Sequence, residues 1–317
     1  MAKESNKNIT ATDVGMLMER QRKEWLLLRR NLETLRNAKK EEIPLNVSAG
    51  VVSKRLLNYR KGSLSANLTA IANGERPCFL CHKARPEEQE YLEWGDYEIL
   101  VNPYPADEYH YTIVNRDHVP QSIVGRVADM VELARMLKDE CIFYNGAKCG
   151  ASAPDHMHFQ AITANAVRNF ISKSEDRDKL IETEAGSVSV PKAGASPFGY
   201  FIIDIKGSND VNDLFNRVVD SLPAHYGEEP MMNVLAFNAG ESVRVVVIPR
   251  RKHRPDIYGA DDGKMLVSPA SLEMAGMFLT SRDSDFMRLD GDMACEIYRE
   301  VAYSDQEFNE FISRLTR

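Results

Sequence analysis

The chain has 317 residues, 43% of them hydrophobic and 27% charged, with a net charge of −7. That length holds two ordinary domains or one built from two related halves. No apolar run approaches the roughly 20 residues that span a bilayer, and the acidic balance argues against a general nucleic-acid binder, so neither membrane nor nucleic acid is an expected partner.

The first ten residues are polar and lack the apolar centre of a secretory signal. Between residues 13 and 38, Val14, Leu17, Met18, Trp25, Leu28, Leu32 and Leu35 recur at helical spacing, which predicts an amphipathic helix docked on the body of the protein. From Pro44 to Asn73 no periodic signal appears, and residues 1–75 read as this helix plus an irregular lead-in. Residues 97–102 and 109–114 predict an antiparallel pair of strands, with His118 just past its end. A helix follows with Val127, Met130, Val131, Ala134, Leu137 and Cys141 on one face. It leads into a short strand at 142–145, a Gly/Ala/Ser loop at 146–154, and the strand that holds the histidines. The stretch 172–195 is polar and then rich in Gly, Ser, Pro and Ala, which predicts a boundary between units at 76–172 and 195–317. The second unit loosely repeats the first: a strand at 198–205, a helix at 211–222, and a hairpin about Asn238-Ala239-Gly240-Glu241. Ser304 and Glu307 form a capping-box pattern ahead of Phe308, Phe311, Ile312 and Leu315.

Side chains alternate along a strand, so in His156-Met157-His158-Phe159-Gln160 both histidines and Gln160 project from one face. Met157, Phe159 and Ala161 project from the other and can be buried. A chance alternation satisfied as ordinary structure would read the same. The preceding loop, Gly150-Ala151-Ser152-Ala153-Pro154, adds backbone N–H groups and a hydroxyl that can approach an anion closely. Neutral imidazole is a nucleophile that forms a reactive phosphoramidate. His158 is therefore the candidate nucleophile for attack on phosphorus, and Gln160 the candidate donor to a non-bridging oxygen.

Five cysteines, two of them in Cys78-Phe79-Leu80-Cys81, do not make a disulfide framework in a chain of this length, and reduced thiols in a cytoplasmic protein are expected. Cys78 and Cys81 with His118 and His156 form a set suited to tetrahedral zinc, a structural ion because four protein ligands leave no open position. The alternative is buried thiols and hydrogen-bonded histidines. His82, adjacent to the cysteine pair, and His110, within a strand, are rival ligands. Arg250-Arg251-Lys252-His253-Arg254 is a dense basic run in an acidic chain. It is either solvated surface or, through Arg250, Arg251 and Arg254, a contact for phosphate.

These segments resemble a known family. Gly150-Ala151-Ser152 followed by His156-Met157-His158-Phe159-Gln160 is similar to the active-site segment of the histidine-triad superfamily, in its galactose-1-phosphate uridylyltransferase branch. The variant His-x-His-Phe-Gln-Ala looks most like the phosphorylases of that branch that act on GDP-L-galactose and on diadenosine tetraphosphate. Leu100-Val101-Asn102-Pro103, Asn233-Val234-Leu235, Val246-Val247-Ile248-Pro249-Arg250 and residues 268–276 are similar to the same enzymes, and the resemblance spans residues 76–301. It implies an α+β fold of two histidine-triad-like halves, each an antiparallel sheet with helices, the second without the histidine motif. It also implies double displacement: a nucleotide sugar or dinucleoside polyphosphate passes its nucleoside monophosphate to His158, and then to phosphate or a sugar phosphate. By position, Gln160 and Ser152 are implied phosphate contacts, Asn145 and Gly150 parts of the same loop, and Asn102 a ribose contact. Cys78, Cys81, His118 and His156 match the uridylyltransferase zinc pattern. Asp155 is an extra residue between the loop's proline and the first histidine, a departure that bears on where Ser152 falls. Two other readings stay open: a hydrolase in which water takes the second step, and a nucleotide- or zinc-binding protein in which the histidine strand is structure only.

Overall fold

Trp25 turns the predicted N-terminal helix into two. The computed structural model, which describes residues 8–46, 50–64, 70–71, 75, 77–167, 177–207, 211–224 and 228–317, has helices at Ala11–Glu24 and Leu26–Arg36. Between them Trp25 leaves helical geometry (φ −93°, ψ 104°) and is buried in the core that also takes in Leu28 and Leu32. No glycine or proline marks the bend; tertiary packing sets it, and the helices dock on the body as expected.

The lead-in is less irregular than its sequence. Strands β1 (Lys40–Pro44) and β2 (Val51–Leu56) form a hairpin, and β2 also pairs in parallel with a strand far along the chain, Met277–Thr280. The signal was hidden because β1 is exposed at every position but Ile43, so it has no apolar alternation to read.

The body is a single ten-stranded antiparallel sheet made of two halves. In the first, β3 (Tyr91–Trp94), β4 (Tyr97–Val101), β5 (His110–Asn115), β6 (Glu140–Asn145) and β7 (His158–Thr163) take the order β3-β4-β5-β7-β6, with a helix at Val127–Met136. In the second, β8 (Arg177–Thr183), β9 (Gly186–Pro191), β10 (Phe201–Lys206), β11 (Met232–Asn238) and β12 (Ser242–Pro249) repeat that order in mirror sequence, with a helix at Val211–Ser221. The halves join edge to edge where β6 pairs with β11, Asn145 opposite Asn233. The predicted boundary at 172–195 is thus corrected: β8 and β9 lie inside it, and β9 is hydrogen-bonded to β10.

The helices Val127–Met136 and Val211–Ser221 touch each other and cover one face of the central strands. The C-terminal helix Asp305–Leu315, with the capping box of Ser304 and Glu307, packs on the second of them. No helix among the described residues is long and apolar enough to cross a membrane.

Candidate active site

Register builds the floor of a cavity on the other face of the sheet. Leu100, Thr112, Gln160 and Phe143 lie opposite one another across β4, β5, β7 and β6, and all four line a cavity of about 650 Å³. Asn102, Asn145, Gly150 and Ser152 line it too, so five of the residues implied by the resemblance meet in one place. The extra Asp155 does not displace Ser152 from that wall; its carboxylate lies 3.8 Å from Nε2 of His118 instead. The opposite face of the strand, Met157, Phe159 and Ala161, is core, which holds the register.

His158 stands two residues along the same face from Gln160; it is buried, with 3% of its surface exposed, and is not itself one of the residues that line the cavity. Its backbone is gripped by Gln121, whose Oε1 accepts from His158 N (2.8 Å) and whose Nε2 donates to the carbonyls of His158 (3.1 Å) and Asn145 (2.9 Å). Its ring Nδ1 lies 2.8 Å from the carbonyl of His156. A carbonyl only accepts, so Nδ1 carries the proton and the lone pair is on Nε2. Burial pushes the imidazole down to about 4, which keeps it neutral.

The side-chain amides of Gln160 and Asn145 are oriented by the same logic. Nδ1 of the buried His110 accepts from Ala106 N (3.0 Å), so its Nε2 donates to Gln160 Oε1 (2.9 Å). Asn145 Oδ1 accepts from Ser271 N (2.7 Å) and from Asn233 Nδ2 (3.1 Å). Both amide oxygens are thus taken by protein donors, and the NH2 ends are the parts left for the cavity. His110, weighed from sequence as a rival metal ligand, has both ring nitrogens committed here and does not join the metal cluster.

Gly150 meets the second half. Its φ of +93° favours glycine, and a Cβ there would run into Ala270 and approach Pro269 O at 3.2 Å. The loop after Asn102 is held from the N-terminal segment: four successive carbonyls, of Pro103, Tyr104, Pro105 and Ala106, accept from Asn31 Nδ2 (2.7 Å), Arg60 Nη1 (2.5 Å), Tyr59 Oη (2.6 Å) and Arg55 Nη1 (2.7 Å). Asn102 begins this loop and donates to Thr112 Oγ1 (3.0 Å). Arg60 also lines the cavity, and its Nε is buried with no partner among the described residues. Neither Arg60 nor Gln121 carried a sequence signal, because each acts through partners at least 24 residues away.

Cys78, Cys81, His118 and His156 form one cluster, their ligating atoms all within 4.8 Å of one another. Cys78 Sγ is 3.3 Å from His156 Nδ1, and Cys81 Sγ is 3.2 Å from His118 Nδ1 and 3.6 Å from His156 Nδ1. Roughly 3.6 Å is the S···N separation expected around tetrahedral zinc, so the donor set and spacing fit a metal ion. His156 Nε2 donates to Asn115 O (2.7 Å), the outer contact that orients a metal-bound imidazole. Leu80, inside the Cys pair, lines the cavity, so the cluster adjoins it. His82, the other rival ligand, is not in the cluster; it lies edge-on to Tyr91.

The basic run divides. Arg250 is fully buried, donating to Asn233 Oδ1 (2.6 Å) and to the carbonyls of Pro269, Val301, Lys252 and His253. With its donors spent and no exposed surface it is a buttress for Asn233 rather than a phosphate contact, which corrects its expected role. Arg251 is exposed and donates to Glu300 O at 3.4 Å. Arg254 stacks on Tyr258 and donates to Ser268 Oγ (3.0 Å), a residue of the cavity wall.

Two family models match the chain. Residues 17–163 match one described as a domain of unknown function, DUF4922, and residues 171–316 match the GDPGP1-like C-terminal domain. Among solved structures, yeast Ap4A phosphorylase Apa2 is similar with a TM-score of 0.59 at 13% identity, over 94% of this chain and 95% of that one. The resemblance read from the sequence holds. Apa2 in complex with AMP and with Ap4A has a TM-score of 0.56 at 14% identity, over 87% and 91% of this chain and 96% and 97% of those. The chain has the two-half α+β fold of that phosphorylase, with a second half like that of GDPGP1-like proteins. No curated protein matches by sequence.

Proposed function

We propose that the chain is a nucleotidyltransferase of the phosphorylase type that works through a nucleotidyl-histidine on His158. The observation that carries this is the convergence of Asn102, Asn145, Gly150, Ser152 and Gln160 on one cavity, with His158, whose lone pair is on Nε2, two residues before Gln160 on the same face of its strand. In the first step Nε2 attacks the phosphorus that bears the nucleoside, and the P–O bond to the distal phosphate or sugar phosphate breaks. The proton on Nδ1 stays hydrogen-bonded to His156 O and spreads the positive charge of the ring. In the second step an oxygen of phosphate or a sugar phosphate attacks the same phosphorus and the P–N bond breaks, restoring His158. Amide NH2 groups of Gln160 and Asn145 and the Ser152 hydroxyl face the charge that grows on the equatorial oxygens. Arg60 and Arg85 line the cavity, Arg85 paired with Glu98, and Arg254 reaches its wall through Ser268; these are the cations on hand for the remaining phosphates.

The yeast neighbour in complex with Ap4A makes dinucleoside polyphosphates the first donors to try, and the sequence resemblance makes nucleotide sugars the second. The cluster of Cys78, Cys81, His118 and His156 would hold a structural zinc, and a reducing cytoplasm suits its thiols. Incubation with donor and no acceptor should leave one nucleoside monophosphate on His158, acid-labile and located by mass spectrometry. His158→Ala should keep donor binding yet lose turnover by more than about 10⁴-fold. A variant that turns over at the wild-type rate, or an adduct on His156, ends this reading. About one zinc per chain is expected by elemental analysis; retention of zinc in a Cys78→Ser/Cys81→Ser variant would remove the metal assignment.

A further inference from the structure

We propose that His110 is a positioning residue for the reaction: it fixes the amide of Gln160 so that only its NH2, and never its oxygen, meets the phosphate. The inference rests on the reading of Gln160 as a phosphate donor.

A glutamine amide at a phosphate site is ambivalent. With NH2 inward it stabilises a non-bridging oxygen; with Oε1 inward it repels it, and the two orientations differ only by a half-turn of one soft torsion. Something must choose between them. In this chain the choice starts at the backbone. The N–H of Ala106 can only donate, and it points at Nδ1 of His110 at 3.0 Å, so Nδ1 holds the lone pair. A neutral imidazole with a lone pair on Nδ1 carries its proton on Nε2, and Nε2 lies 2.9 Å from Gln160 Oε1. The amide oxygen is therefore the acceptor, and NH2 is what remains for the cavity that Gln160 lines. Three links, each with one allowed direction, fix the last one.

The surroundings keep the relay from reversing. His110 is fully buried on β5, two residues from Thr112 on the same face, with Gln160 opposite Thr112 on β7. The Ala106 amide belongs to the loop whose carbonyls are held by Asn31, Arg60, Tyr59 and Arg55, so the first donor is itself immobilised. Asn145 shows the same device built differently: its oxygen is occupied by Ser271 N and Asn233, and its NH2 is left free for the cavity in the same sense. Two amides with captured oxygens form a preorganised pair of donors that need no reorientation when charge develops.

His110→Asn and His110→Gln separate the relay from mere packing. Glutamine places its NH2 where Nε2 stood and can still donate to Gln160; asparagine reaches only the Nδ1 position and cannot. Activity would be followed with inorganic phosphate and whichever of Ap4A, UDP-glucose and GDP-galactose turns over fastest. His110→Asn is expected to lower kcat by roughly 10- to 100-fold with KM changed less than about threefold, and His110→Gln to recover most of that loss. In a Gln160→Ala background His110→Asn should cost nothing further, because the residue it positions is gone. Equal losses in both histidine variants, or a full further loss in the Gln160→Ala background, would overturn the proposal. If Gln160→Ala leaves kcat unchanged, the reading of Gln160 fails instead. A measurement on the wild-type protein needs neither variants nor a donor: 15N NMR of labelled histidine should show His110 as the neutral Nε2–H tautomer, and an Nδ1–H tautomer would sink the relay.

Discussion

The two halves of the sheet share an order of strands and differ most at one connection. In the first half β6 and β7 are joined by residues 146–157, a long loop that carries Gly150, Ser152 and His156; in the second, β11 and β12 are joined by residues 239–241, a tight turn with Gly240 at φ +84°. A tight turn has no room for a phosphate. β7 begins with His158 and keeps a polar row on the cavity face, whereas every residue from Val245 to Pro249 of β12 is buried. The second half serves the site from its other end. Because β6 and β11 are antiparallel, the loop end of β6 lies beside the start of β11, and Asn233, Arg250 and residues 269–271 come to support Asn145 and Gly150. One half thus carries the long loop that lines the cavity, and the other supplies its buttress.

The sharpest way to break this comparison is a pair of matched substitutions in the two connections. Gly150→Ala forces a β-carbon into Ala270 from a left-handed backbone, and should lower kcat by roughly 100-fold through displacement of the loop. Gly240→Ala has the same sign of φ but open space around it, so it should cost only about 1 kcal/mol in stability and leave kcat unchanged. Kinetics and thermal unfolding of both variants check it. Equal effects at the two glycines would erase the distinction between a working loop and a turn.

A second contrast lies inside the basic run. Arg250→Met would strand Asn233 Oδ1 and several carbonyls in the interior, for a loss of about 3 kcal/mol or more in urea unfolding, with kcat falling as Asn145 loses its support. Arg251→Ala should stay within about 0.5 kcal/mol of wild type.

The smallest effect is a pH dependence. Burial pushes His110 from 6.5 down to about 3, so as pH falls below about 6.5 the unfolded chain takes up a proton that the folded one refuses. Stability therefore falls on acidification, by about 2 kcal/mol from this group between neutral pH and pH 5. His110→Gln has no such group, and its melting temperature should fall less over that range. Parallel curves for the two proteins would show that His110 is not held neutral.

Much of the site was legible because its signals are local. The alternation through His158 and Gln160, the small residues of the preceding loop, and the Cys-x-x-Cys spacing all lie within a few residues; His118 past a strand end and His156 on the histidine strand completed the ligand set, and the resemblance added Asn102 and Asn145. What escaped the sequence was the part made by distant partners. β1 has no apolar pattern because it lies exposed at an edge, and β8 and β9 read as a linker because a sheet-edge hairpin is polar and rich in small residues. Arg250 read as either solvated surface or a phosphate contact because nothing in the sequence shows that five acceptors surround it.

The sequence by itself determined the groups on offer: an imidazole beside a loop of small residues, two cysteines and two histidines suited to one ion, and a loosely repeated order of elements in two halves. Only the tertiary structure decided direction and support. Which end of each amide faces the cavity, which arginine is a buttress, and which segments hold the loop after Asn102 all depend on hydrogen bonds between residues far apart in the chain. Such bonds are directional and leave no periodic trace, whereas hydrophobic burial repeats with the helix or strand and can be read along the line.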